Sequence, residues 1–220
     1  MRWFALPCLV SLAACGSATP EPEASPEPKQ VVTGPRTLIA AGFGELELGA
    51  KIEGPQGPEV TDKVGGPDGD LFEIVSYVAC PDSADDAMMD SSASCVPSER
   101  GPDTIYTYVH RVTLSDGVSG PVAAFRMSAP ATGFNNAVGY DRDQAEAAFG
   151  ADYTVDIAIE NERLAWRIEV SDGWEAGETM TFFWRSTVPP EGPGEGYCVD
   201  IEGECVAATG PLPPRAAPTN

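Results

Sequence analysis

Histidine and basic residues are scarce in this 220-residue chain, which has one His and 13 Lys and Arg against 34 Asp and Glu. The formal net charge of −21 repels polyanions, so neither nucleic acid nor an anionic lipid surface is an expected partner. Because His110 is the only imidazole and no C-x-x-C pair occurs, the usual ligands of a zinc site are missing, and no cofactor is expected. No apolar run reaches the roughly 18 residues that a membrane-spanning helix needs.

The first apolar run, Trp3 to Ala14, follows a single basic residue, Arg2. A short apolar run that ends in small residues is typical of an export signal. The segment Leu12-Ala13-Ala14-Cys15 resembles the lipobox of bacterial lipoproteins. The resemblance implies a signal peptide over residues 1–14, cleavage before Cys15, and a diacylglyceryl group on the thiol of Cys15. Two or three acyl chains hold a protein stably where one does not, so Cys15 is expected to be the membrane anchor.

The residues after the lipobox indicate which membrane and what kind of linker to expect. Gly16-Ser17 lacks the aspartate that typically retains lipoproteins in the inner membrane, so the resemblance implies the outer membrane if the host has two. Residues 15–36 are expected to form a tether rich in Pro and Glu. The prolines stiffen such a segment, and repulsion between the glutamates extends it. Residues 209–220, which contain Pro211-Leu212-Pro213-Pro214, are expected to be a disordered tail.

Four further cysteines favour two disulfides in an exported chain. Three pairings are open to four cysteines, and the sequence alone does not choose among them. Proximity along the chain makes Cys80–Cys95 and Cys198–Cys205 the leading proposal. A disulfide that closes a loop of either length is expected to stabilise the fold by about 2.5–3 kcal/mol, because it lowers the entropy of the unfolded chain.

The remaining residues, 37–208, predict an all-β domain, an antiparallel β-sandwich or open barrel with one short helix. Alternating apolar residues over 154–160 and 163–170, joined by Asn161-Glu162, predict a hairpin. Asp141 and Gln144 can cap a short helix that ends at Gly150. The Gly-Pro turns of the first half leave a subdomain break near residue 102 open. Further strand-like runs cover residues 38–48, 71–78, 104–114, 122–127 and 180–184.

The sequence contains no clear motif for a catalytic site. His110 is the only histidine available to a Ser-His-Asp triad, and it lies in a strand pattern that favours packing in the core. The nearest serine motif, Gly117-Val118-Ser119-Gly120-Pro121, lacks the final glycine of G-x-S-x-G. No catalytic residue is therefore assigned, and Trp166 and Trp184 are expected in the core.

Two sets of residues are candidates for ligand binding. Calcium prefers converging carboxylates, and the loop between Cys80 and Cys95 offers weak candidates without EF-hand spacing: Asp82, Asp85, Asp86 and Asp90. Aromatic rings stack on sugars and amides bond their hydroxyl groups, so a sugar-binding face is one interpretation of predicted loop residues Phe134, Asn135, Asn136, Tyr140 and Trp174. The other interpretation is that these side chains close the ends of the sandwich.

The sequence thus favours a lipid-anchored cell-envelope protein whose β-sandwich is non-catalytic and has a structural or binding role. Its membrane contact is the lipid on Cys15, and a protein or glycan partner is compatible with the composition. Two alternatives stay open: an exported hydrolase that acts on glycans or esters, and a calcium- or glycan-dependent adhesive module.

Overall fold

A computed structural model describes residues 36–67, 69–81, 95–118, 121–170 and 173–215, which belong to one compact unit. Cys15, the tether and the four calcium candidates Asp82, Asp85, Asp86 and Asp90 lie outside these ranges. The described elements are, in chain order, β1 (Arg36–Leu38), β2 (Ala41–Gly42), β3 (Leu48–Lys51), β4 (Val60–Gly66), β5 (Gly69–Pro81), β6 (Tyr106–Leu114), β7 (Val122–Met127), β8 (Phe134–Tyr140), α1 (Arg142–Phe149), β9 (Tyr153–Glu160), β10 (Arg163–Val170), β11 (Thr179–Ser186), β12 (Gly192–Ile201) and β13 (Glu204–Leu212).

The strands form two sheets, which confirms the predicted all-β sandwich. The first sheet has the order β1-β9-β10-β7-β12-β13, and the second has β2-β8-β11-β6-β5-β3, with β4 also paired to β5. Antiparallel pairing holds throughout except between β2 and β8, which are parallel. Strands β5 and β6 lie on either side of residue 102 and pair over eight residues, so residue 102 lies in the connection between two neighbouring strands of one sheet.

The core lies between the two sheets and is strongly aromatic. Phe125 of the first sheet stacks on Phe182 of the second with ring centroids 4.8 Å apart. Trp166 and Trp184 are both 0% exposed, as the sequence predicts. The Trp166 indole N–H also donates to the carbonyl oxygen of Gly139 at 3.0 Å, so this buried polar group is satisfied. Large rings from both inner faces therefore hold the sheets together.

The predicted hairpin and the predicted helix are both confirmed. Strands β9 and β10 pair over eight residues, and the two turn residues Asn161 and Glu162 have φ values of 49° and 64°. Two consecutive positive φ angles are those of the tight turn that matches strand twist. Helix α1 begins after Asp141, whose side chain accepts a hydrogen bond from the Gln144 amide at 3.1 Å.

Two predicted loop or tail segments prove to be strands. Residues 134–140, expected in or near loops, form β8, because they pair with β11 along one edge. The tail was expected to begin at residue 209, but β13 continues to Leu212. Its end is held by the Glu191 N–H, which donates to the Leu212 carbonyl at 2.8 Å, and by its ladder with β12.

The chain crosses between the sheets near its first described residues. Strand β1 pairs with β9 of the first sheet, and β2, three residues later, pairs with β8 of the second. Phe43 follows β2 and lies 6.0 Å from Phe183, ring centroid to ring centroid. At the opposite side, the Thr209 N–H of β13 donates to Asp62 Oδ2 of β4 at 2.7 Å, so the sheets also meet at this corner.

Candidate functional site

A groove among the described residues lies where β7 and β13 end and β12 begins. Its volume is about 490 Å³. Three segments that are far apart in the sequence line it: Ala129, Pro130 and Thr132; Glu191, Gly192 and Pro193; and Leu212, Pro213, Pro214 and Arg215. The register of the first sheet places β1 and the β9–β10 turn toward this same end. The groove therefore lies at the end of the sandwich where both described chain ends leave the first sheet.

Two hydrogen bonds to or from the backbone hold the loop after β7, which forms one wall of this groove. The Ala131 N–H donates to the Glu162 carbonyl at 2.7 Å, which ties the loop after β7 to the β9–β10 turn. The Ser186 hydroxyl donates to the Thr132 carbonyl at 2.8 Å, which ties the same loop to β11. Proline rings have fixed φ angles, so the walls lose little conformational entropy when a ligand binds.

The chemistry of the groove suits binding more than bond cleavage. Proline rings and Leu212 provide apolar surface, while the exposed Glu191 and Arg215 provide one charge of each sign. Such a mixture of apolar walls and a few polar groups is typical of a site for an extended peptide or a small molecule. The groove has no signature in the sequence, because three separate segments form it.

His110 lies in the core between the sheets, as its strand pattern indicates. It is 0% exposed, and its ring lies 4.1 Å from the ring of Tyr197 and 5.5 Å from that of Phe125, centroid to centroid. Its Nδ1 is 3.0 Å from the Ser76 hydroxyl oxygen, whereas Nε2 has no hydrogen-bond partner among the described residues. Burial lowers the pKa of His110 from 6.5 to about 3. This imidazole is closed to any substrate in the groove.

The five loop candidates for sugar binding do not come together in one open site. Phe134 and Tyr140 lie at opposite ends of β8, and Tyr140 is 9% exposed. Trp174 is 2% exposed, and its ring packs edge-on against Phe149 and Phe182. Asn135 uses its side-chain oxygen to accept from the Ala137 N–H at 3.2 Å, and Asn136 has a φ of 69°. The aromatic members thus pack against the core.

Both proposed disulfides are formed. Cys80–Cys95 has a Cα–Cα distance of 6.0 Å, and Cys198–Cys205 has one of 5.5 Å. The first joins the end of β5 to the residue that forms a bridge with Ile52, and the second joins β12 to β13. The leading pairing from the sequence is therefore the one that the structure contains.

No family model, curated protein or solved structure matches this chain.

Two further findings concern membranes and metals. Among the residues that the structure describes, no helix is long and apolar enough to cross a lipid bilayer. Within the same ranges, His, Cys, Asp and Glu side chains nowhere gather in a group of three or more that fits a metal ion.

Proposed function

We propose that this chain is a lipid-anchored cell-envelope protein whose β-sandwich binds a ligand and does not catalyse a reaction. The observation that carries the first part is the sequence Leu12-Ala13-Ala14-Cys15 behind a short apolar run. Two disulfides support export, because such bonds persist in oxidising compartments. The Pro/Glu tether between Cys15 and β1 supports a domain that is held off the membrane surface.

The groove between the loop after β7 and the end of β13 supports the binding part of the proposal. It lies at the end of the first sheet where β1 begins, so a ligand there would be at the same end as Arg36, the first described residue. Its walls hold apolar rings and one charge of each sign, and the only imidazole of the chain is sealed in the core. These features suit recognition of an extended peptide or a glycan fragment from the envelope.

Lipidation is tested by expressing the full chain in a bacterium fed with an alkyne-tagged fatty acid. The wild type is expected to carry the label and to fractionate with membranes, and Cys15→Ala is expected to lose the label. Cys8→Ala is the matched control, because Cys8 follows Leu6-Pro7 and lacks the small residues of a cleavage site. Equal labelling of wild type and Cys15→Ala would contradict the anchor.

The binding role is tested on the mature chain with Cys15→Ser, using a panel of envelope peptides and glycan fragments in a melting assay. A ligand for the groove is expected to raise the Tm of this chain. Thr132→Arg, which fills the groove, is expected to remove the shift, whereas Thr154→Arg at the far end of β9 is expected to keep it. Hydrolysis of a chromogenic ester or glycoside that disappears in Glu191→Gln would show catalysis instead of binding.

A further inference from the structure

The outer face of the first sheet carries an ion pair directly beside a disulfide. Cys198 of β12 is opposite Arg126 of β7, and Asp200 of β12 is opposite Cys205 of β13. Residues opposite each other in an antiparallel ladder project from the same face, with Cβ atoms roughly 5 Å apart. Arg126 Nη2 reaches Asp200 Oδ2 at 2.7 Å, one step along β12 from Cys198. The Arg126–Asp200 ion pair and the Cys198–Cys205 disulfide therefore both run diagonally between neighbouring strands, in the same direction and on opposite sides of β12.

Each member of this ion pair keeps one buried polar atom without a partner. Arg126 Nε and Asp200 Oδ1 have no hydrogen-bond partner among the described residues. The Asp200 side chain is only 10% exposed, so the free oxygen has lost its hydration. A buried polar group without a partner costs roughly 1–3 kcal/mol. Such a group therefore points to an interaction that the disulfide form does not supply.

Reduction of the disulfide would create one sulfur acceptor and one S–H donor on the residues opposite this ion pair. A Cys198 thiolate would accept a hydrogen bond from the Arg126 Nε–H, and a Cys205 thiol would donate its S–H to Asp200 Oδ1. An adjacent guanidinium also lowers the pKa of a thiol and makes its sulfur a better leaving group. The Arg126 guanidinium thus provides a positive charge beside Cys198, the sulfur that would leave as a thiolate when the disulfide is reduced.

The two disulfides differ in their accessibility to a reductant. Cys205 is exposed, while Cys198 is 1% exposed. Cys80 and Cys95 are 0% and 1% exposed, so both sulfurs of that bond are closed to attack. Strands β12 and β13 also pair over nine residues, which holds the hairpin together without the S–S bond. Cys198–Cys205 is therefore the disulfide with an exposed sulfur-bearing residue, and it joins two strands that are also held by a backbone ladder.

We propose that Cys198–Cys205 is a redox site that exchanges electrons with a dithiol. A thiolate of the dithiol attacks Sγ of Cys205, the S–S bond breaks, and the electron pair leaves on Sγ of Cys198 beside Arg126. In the mixed disulfide, one sulfur of the dithiol is bonded to Sγ of Cys205. The second thiolate of the dithiol attacks that dithiol sulfur and expels Cys205 as a thiolate. The dithiol ends as a disulfide, its two electrons reduce the protein, and its protons pass to the released thiolates.

The site is tested on the folded mature chain with dithiothreitol as the dithiol probe. Samples are trapped with N-ethylmaleimide over time, and peptides are analysed by mass spectrometry. Cys198 and Cys205 are expected to be alkylated at least about tenfold faster than Cys80 and Cys95, with the near-ultraviolet circular dichroism unchanged. Equal rates for the two disulfides, no reduction before unfolding, or loss of the dichroism signal together with reduction would each overturn the proposal.

A matched pair of variants separates the role of Arg126 from general surface charge. Arg167 of β10 lies on the same outer face of the sheet, two strands from β12, and pairs with Glu160 and, at 3.6 Å, with Asp156. Arg126→Gln is expected to slow reduction of Cys198–Cys205 by about threefold or more, because the leaving thiolate loses its cation, and Arg167→Gln is expected to leave the rate unchanged. An equal rate in both variants would contradict the positioning role of Arg126, provided both melt as folded proteins.

Discussion

Acid should destabilise the domain through His110, and the structure sets the size of the effect. Burial lowers the pKa of His110 from 6.5 to about 3, so the unfolded chain binds a proton in a pH range where the folded chain does not. Stability from this group is therefore complete above pH 6.5 and is lost as the pH falls from 6.5 toward 3. Each pH unit within that window costs about 1.4 kcal/mol, which gives about 2 kcal/mol at pH 5.

The surroundings of His110 explain why nothing offsets this loss. Ser76 on β5, Phe125 on β7 and Tyr197 on β12 face the ring, and none of them supplies a negative charge. Tyr197 uses its hydroxyl group to donate to the Pro211 carbonyl at 2.7 Å, and burial raises its pKa, so it stays neutral as well. An imidazolium here would have one N–H near Ser76 and a second without an acceptor among the described residues.

Urea unfolding monitored by tryptophan fluorescence at pH 7.5 and pH 5 measures the effect. His110→Gln is the comparison, because its amide can bond to Ser76 and does not titrate in this range. The free energy of unfolding of the wild type is expected to fall by about 2 kcal/mol more than that of the variant between these pH values. Surface carboxylates titrate in both proteins and cancel in this difference. Parallel losses in wild type and variant would refute the reasoning.

Three further predictions concern local structure and use the same unfolding assay. Gly139→Ala should destabilise the domain by more than about 2 kcal/mol, because the new Cβ would lie 2.0 Å from the Ala41 carbonyl oxygen; a loss below about 0.5 kcal/mol would argue against the β2–β8 pairing. Asp141→Ala should cost about 1 kcal/mol through loss of the helix cap, and Asp143→Ala, also in the first turn, should cost clearly less; equal losses would contradict the cap. Glu162→Gly should stabilise by roughly 0.5–1 kcal/mol, because glycine adopts the positive φ of this turn without strain, and a destabilised variant would argue against that turn geometry.

The features predicted from the sequence are those set by local patterns. The β9–β10 hairpin follows from alternation around Asn161-Glu162, and α1 follows from a capping aspartate before an alanine-rich turn. The disulfide pairing follows from proximity along the chain. Each of these signals lies within a few residues of the structure that it specifies.

The features missed from the sequence depend on distant partners. Strand β8 contains Asn135, Asn136 and Gly139, which are weak strand formers, and it forms because β11 pairs with it. Glycine and proline in β12 and β13 concealed the second long hairpin, which is held by its ladder and by β7. Three separate segments form the groove. The ion pair and the neighbouring disulfide together involve β7, β12 and β13. Neither feature therefore has a signature in any one stretch of sequence.

Strands β1 and β13 are the two edges of the first sheet, and the first and last described segments leave that sheet toward the same end. Five strand spacings separate these edges, at most about 24 Å, which roughly eight extended residues can span. A circular permutant that joins residue 215 to residue 36 and opens the chain at Glu202-Gly203 therefore retains every strand.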